Sequence, residues 1–178
     1  MLDLSMHILD IVENSINAGA DVVLIELKVE TQKDTFSIEI QDNGSGMDDE
    51  MLKKALDPFM TTKPGKRVGL GLSMLREASR KSGGDMSVDS QPGVGTAVHA
   101  TFGLTHVDRQ PLGNLPDTML TLIIGNVDVA FGLTLKMDEK TITWNTGMIH
   151  EKFGDRNRTD PEVMTYIREQ IEFFRQTT

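Results

Sequence analysis

The chain contains no cysteine. That absence excludes disulfides, thiolate zinc sites and cysteine nucleophiles, and it fits a reducing, cytoplasmic setting. Long apolar runs are also missing, and none approaches the roughly 20 residues of a membrane span. The first fifteen residues, MLDLSMHILDIVENS, are interrupted by acids and carry no basic region, so no signal peptide is expected. Positive charge is in short supply, with 18 Lys and Arg against 27 Asp and Glu and a formal net charge of −9. Nonspecific binding to nucleic-acid phosphate or to an anionic membrane is therefore disfavoured. There is no internal repeat and no low-complexity tract. What remains is a length of 178 residues, room for one full domain or one domain with a small appendage. A chain of this size buries roughly 70% of its unfolded surface, so its core needs no staples.

Hydrophobic periodicity outlines the elements. Leu4, Ile8, Ile11, Val12, Ser15 and Ile16 form a stripe at helical spacing over 4–18, closed by Gly19. The opposite face carries Asp10, Glu13, Asn14 and Asn17 at i, i+3, i+4 and i+7, a line of four polar side chains. Alternation predicts strands through Val23, Ile25, Leu27 and Val29, then through Phe36, Ile38 and Ile40. Asp42 shares the parity of Ile40, so its carboxylate points toward the buried face. A short helix is expected over 50–56, a polar basic loop over 61–68, and a helix over 70–82. Strands follow around Met86 and Val88 and over 96–104. Beyond residue 105 the pattern predicts a connector, a short helix over 117–125, strands over 127–136 and 141–146, and a final helix started by Asp160-Pro161-Glu162 and running to about 176.

Four local features could carry chemistry: the polar helix face, Asp42-Asn43-Gly44-Ser45-Gly46, Gly69-Leu70-Gly71-Leu72, and Gly93-Val94-Gly95-Thr96. Each has a plain reading as well, in order a solvated helix face, a turn, a loop-to-helix junction and a hairpin turn. Gly69-Leu70-Gly71 is not a dinucleotide fingerprint, because Met74 stands where the third glycine belongs, and the chain holds no P-loop. Taken together the four make sense as a nucleotide site. Glycines ahead of a helix let backbone N–H groups approach phosphates at its positive end, with Lys63, Lys66 and Arg67 beside them. A helical asparagine can give an oxygen to Mg²⁺. A carboxylate on a buried face costs free energy unless it is partnered, and an exocyclic amine such as adenine N6 would partner Asp42.

This order of motifs resembles the ATP-binding domain of the histidine-kinase, gyrase B, mismatch-repair and chaperone ATPase superfamily. The segment from Asp10 to Ala20 resembles its N box, Asp42 to Met47 its first glycine box, Asp57 to Lys63 the kinase F box, Gly69 to Ser73 the second glycine box and Gly93 to Thr96 the last. The resemblance covers about residues 4–104. It implies an α/β fold, a two-layer sandwich of helices on a mixed sheet with ATP between the layers (residues 1–104), followed by a small α+β extension of unknown role (residues 105–178). It implies Asn14 as the Mg²⁺ ligand and Asp42 as the adenine acceptor, with Gly46 and Thr96 nearby. Lys63 would lie near the phosphates, and Gly65 through Gly69, Leu70, Gly71 and Leu72 would form the lid and phosphate-packing backbone. Asn17, Gly44 and Met47 would complete the nucleotide contacts.

Asp10 stands one turn before Asn14, where hydrolysing members of the superfamily place a glutamate base. It is one methylene shorter, and two roles stay open: orienting or deprotonating an attacking water, or a helix-surface acid. The F box and short lid resemble histidine kinases. No phosphoacceptor histidine is legible. His7 lies inside the first helix and reads as a packing or surface residue, and His99, His106 and His150 lack acceptor context. The expectation is a stand-alone kinase-type domain using Mg-ATP to phosphorylate a separate partner protein. The alternative is an ATP-gated binding module or slow ATPase. A homodimer stays open.

Overall fold

The computed structural model describes residues 3–57 and 70–175, with backbone alone for 173–175. The first helix, α1 (Leu4–Asn17), is capped by Asp3, whose carboxylate accepts from the Met6 N–H at 3.0 Å. Gly19, at φ +79°, lets the chain leave the helix in the left-handed conformation. Strands β1 (Val22–Glu30) and β2 (Thr35–Asp42) form an antiparallel hairpin in which Val23, Ile25, Leu27 and Val29 lie opposite Asp42, Ile40, Ile38 and Phe36. All seven apolar members of those pairs are buried. Burial of each Leu, Ile or Phe side chain contributes about 1.5–3 kcal/mol.

Helix α2 (Asp49–Leu56) is capped by Asp48, and α3 (Leu70–Lys81) follows beyond the undescribed residues. Then come β3 (Met86–Gln91), β4 (Gly95–Gly103), α4 (Leu115–Gly125), β5 (Ala130–Met137), β6 (Lys140–Asn145), α5 (Gly147–Phe153) and α6 (Pro161–Arg175). The six strands form one mixed sheet in the order β3-β4-β2-β1-β5-β6, parallel at β1–β5 and antiparallel elsewhere. Helices α1, α3, α4 and α6 share one core with its strands. This is the two-layer α/β sandwich that the resemblance implies.

The expected helix cap at Asp160 is present, with its carboxylate accepting from the Glu162 N–H at 2.9 Å. Helix α5 is an element the periodicity does not announce. It has seven residues and only Ile149 among them is buried, which leaves no stripe to read. The residues after 105 continue the same sheet, because β5 runs parallel to β1 with Phe131, Leu133 and Leu135 beside Val23, Ile25 and Leu27. Arg158 ties this part together: one guanidinium nitrogen donates to the carbonyls of Ile123, Asn126 and Val129 at 3.2–3.3 Å, closing the end of α4. Val163, Ile167 and Ile171 of α6 are fully buried.

His7 belongs to the core, at 1% exposure. Its Nε2 lies 2.9 Å from Gln110 Oε1, and Nδ1 is buried without a partner. Burial holds its pKa below the ordinary 6.5, against the opposing Gln110 hydrogen bond. A histidine kept neutral in the fold contributes stability that is complete well above pH 6.5. That contribution is lost as pH falls through 6.5 toward the lowered folded value, because the unfolded chain takes up the proton first. Denaturant unfolding at pH 7.5 and pH 5 should show a larger stability loss for the native chain than for His7→Gln. Equal losses would mean that His7 is not held neutral.

Candidate functional site

Helix α1 brings two groups of residues together. On one side, the N-terminal turn of α3 sits directly against it. A Cβ built on Gly71 would lie 3.2 Å from Asp10 Cβ, 3.5 Å from Asp10 Oδ2 and 3.7 Å from Asn14 Nδ2. Glycine at this position therefore lets α3 reach the polar face of α1, and a larger side chain would push the two helices apart. Asp10 and Asn14 are half-buried in this contact, while Glu13 and Asn17 are exposed on the same face. Leu72 is buried in the core and Leu70 is exposed.

On the other side, Ser15 donates to Asp42 Oδ2 at 2.6 Å. Asp42 Oδ1 accepts from the Gly44 N–H at 2.9 Å and the Thr96 N–H at 3.3 Å. A carboxylate offers about four acceptor positions. Three are taken by these donors, so Asp42 is fixed in orientation and retains capacity for one more donor. It ends β2 on the core-facing side, as its parity with Ile40 requires.

The glycine turns are built for this junction. Gly46, at φ +65°, and Gly95, at φ +134°, leave no room for a side chain, since a Cβ on either would overlap the backbone of Gln91 or Asp42 respectively. A Cβ on Gly44 would meet the Ala18 carbonyl and Asp42 Oδ1, both at 3.0 Å. Thr96 Oγ1 shares a 2.8 Å hydrogen bond with Ser90 Oγ, which accepts from the Met47 N–H at 2.8 Å. Asn43 clamps the turn to β1, its Oδ1 accepting from the Asp21 and Val22 N–H groups.

Asp10, Asn14 and Gly71 thus form one group, and Asp42, Gly44, Gly46, Met47 and Thr96 another, with α1 joining them. Asn17 lies exposed at the end of α1 and makes no part of either. Lys63, Gly65 and Gly69 lie outside the described residues. Three further residues matter here. Ser15 is legible in the sequence as a polar residue inside an apolar stripe and Asn43 as a member of the first glycine box, whereas nothing in the pattern singles out Ser90.

Replacing Ser15 with Ala removes a bond to a charged acceptor and should cost about 1.5–3 kcal/mol in denaturant unfolding. Ser15→Thr, which keeps a hydroxyl, should recover part of that loss. A neutral Ser15→Ala would show that the bond does not hold α1 to the sheet.

Residues 2–106 match the family described as histidine kinase-, DNA gyrase B- and HSP90-like ATPase. The chain is 42% identical over 78 residues to the signal transduction histidine-protein kinase AtoS of Escherichia coli, a match spanning 44% of this chain and 12% of that protein. It is 37% identical over 79 residues to the sensor kinase CckA of Brucella abortus, spanning 44% of this chain and 8% of CckA. With the sensor histidine kinase YxdK of Bacillus subtilis it shares 32% identity over 82 residues, 44% of this chain and 25% of YxdK. The chain therefore spans a quarter or less of these curated relatives. The Aquifex aeolicus MutL ATPase domain complexed with ADP has the same fold, with a TM-score of 0.53 at 14% identity over 96% of this chain and 70% of that one. The N-terminal domain of a DNA repair protein is similar too, with a TM-score of 0.59 at 20% identity over 89% of this chain and 59% of the other. With the family's model covering more than half of its length, the chain belongs to the histidine kinase-, DNA gyrase B- and HSP90-like ATPases.

Proposed function

We propose that the residues at α1, the start of α3 and the β2 and β4 ends bind Mg-ATP, and that the chain is a histidine-kinase-type catalytic domain passing the γ-phosphoryl group to a side chain of a partner protein. One observation carries this reading: consecutive residues of α1 reach both groups, Asn14 toward Gly71 and Ser15 to Asp42. In this reading Asp42 uses its remaining acceptor position for the adenine amine, oriented by Ser15, Gly44 and Thr96. Gly44, Gly46 and Met47 would line the base, and the backbone at Gly69, Leu70, Gly71 and Leu72 would face the phosphates at the positive end of the twelve-residue α3. Lys63 and Gly65 would belong to the same phosphate region.

The residues present fit a magnesium ion that arrives with its nucleotide. Among the described residues no group of three or more His, Asp or Glu side chains could hold a metal. The Asn14 amide oxygen would serve beside phosphate and water oxygens, the usual surroundings of Mg²⁺ at nucleotide sites. When bound, the ion neutralises charge building on the transferred phosphoryl. An acceptor nucleophile attacks the γ-phosphorus, the bond to the bridging oxygen breaks, and ADP leaves. The relatives' kinase names support this reading, and residues 105–178 would provide a surface for the partner.

The contact of Asp10 with Gly71 favours a second reading. A carboxylate at that point could hold an attacking water, making the chain a slow ATPase. ADP release under saturating Mg-ATP separates the two. The kinase reading expects ATP binding, little ADP release by the chain alone, and γ-phosphate label on a co-purified partner. Steady turnover by the chain alone, falling about 100-fold in Asp10→Asn, would replace it with the hydrolytic reading.

A further inference from the structure

The sheet face away from the helices leaves Val22 and Leu24 exposed, and it holds a feature that the ATP-site reading does not use. Two neighbouring cross-strand rows run over β2, β1, β5 and β6. One is Glu39–Glu26–Thr134–Thr143, and the other is Gln41–Leu24–Gly132–Asn145. At Gly132 the second row has no side chain. The result is a trough of about 310 Å³ lined by these residues. It spans four strands, about 14 Å at the usual strand spacing. Its floor is apolar: Leu24 is half exposed and leans over Gly132, where a Cβ would lie 2.8 Å from Leu24 Cδ2.

Its charge is not balanced. Lys136 pairs with Glu26 at 2.8 Å. Glu39, beside Glu26 on the neighbouring strand, accepts a hydrogen bond from the Gln41 amide and lies within electrostatic reach of the same Lys136 without forming an ion pair with it, so two carboxylates share one lysine. Amide and hydroxyl groups of Gln41, Asn145 and Thr143 surround the apolar floor. An apolar channel with two carboxylates and a single lysine at one end carries an excess negative charge there, and it matches a side chain with an apolar stem and a cationic, multiply donating head. The net charge of −9 adds a field that draws such a partner in.

From this geometry we infer that the trough seats an arginine presented by a basic segment of a partner protein. The stem lies along Leu24 and Gly132, and the guanidinium lies at Glu39 and the neighbouring amide. The site is on the opposite side of the sheet from α1 and α3, so it stands or falls independently of nucleotide binding.

The test is a titration of the full chain, followed by its backbone amide NMR signals. The probe is an acetylated, amidated pentapeptide of alternating glycine and arginine, and the control replaces arginine with neutral citrulline. The expected result is saturable shifts at Leu24, Glu39, Gly132 and Asn145, with none at Asn14 or Gly71, and at least tenfold weaker binding of the citrulline peptide. Glu39→Gln should weaken binding about tenfold, the loss of one charge-assisted contact. Gly132→Val, which fills the notch by displacing the flexible end of Leu24, should remove it. Both variants should keep the amide signals of Asn14 and Gly71 at their native positions, which shows that they fold. Absent shifts, equal response to citrulline, shifts confined to the α1 face, or indifference to Glu39→Gln would each overturn the inference.

Discussion

The hydrogen-bonded carboxylate of Asp42 is the constraint on which the rest of the site depends. A strand that alternates apolar side chains toward the helices ends on an acid with the same orientation. Water is partly excluded there, so the charge requires donors. The fold supplies three, from three different places: the Ser15 hydroxyl on α1, the Gly44 N–H in the turn and the Thr96 N–H on β4. Satisfying one carboxylate therefore fixes a helix, a turn and a neighbouring strand relative to each other. The positive-φ glycines at 46 and 95 follow from the same need, since a side chain at either would push the two turns apart.

The residues after 105 act on the site through α1. Helix α3 presses on one flank of α1 at Gly71, and α4 packs on another, where Leu115 and Met119 join Leu4 and Ile8 in the core. The connector reinforces this, because the Leu4 and Ser5 N–H groups donate to the Pro111 and Leu112 carbonyls. Gly113 approaches the Asp3 cap so closely that a side chain there would overlap its carboxylate. The helix that carries Asp10 and Asn14 is thus held on several sides. Strand β5 extends the sheet beyond β1 and so creates the opposite face on which Leu24 and Gly132 meet.

Much of this was legible because period and parity are strong signals. The 3.6-residue stripe of α1, the alternation in β1 and β2, and the shared parity of Asp42 and Ile40 each reflect a burial requirement that holds for any fold built from those segments. The glycine boxes were legible as well, since glycine is required where φ is positive or backbones touch. What escaped was either short or long-range. Helix α5 buries one residue and leaves no periodic trace. The roles of Asn43 and Ser90 depend on partners 21 and 43 positions away, in β1 and the first glycine turn, and no local pattern encodes that. His7 was open between packing and surface, because a single histidine on an apolar stripe does not reveal that Gln110 comes to meet it.

The central claim is that Asp42, with its three donors, is the recognition point of a nucleotide site. Isothermal titration of Mg-ATP into the native chain and into Asp42→Asn tests it most directly, with urea unfolding of both to confirm the fold. The account predicts saturable binding by the native chain and at least about tenfold weaker binding by Asp42→Asn, the loss of one charge-assisted hydrogen bond. Equal affinity in the two proteins, or no binding by a native chain that is fully folded, would contradict it.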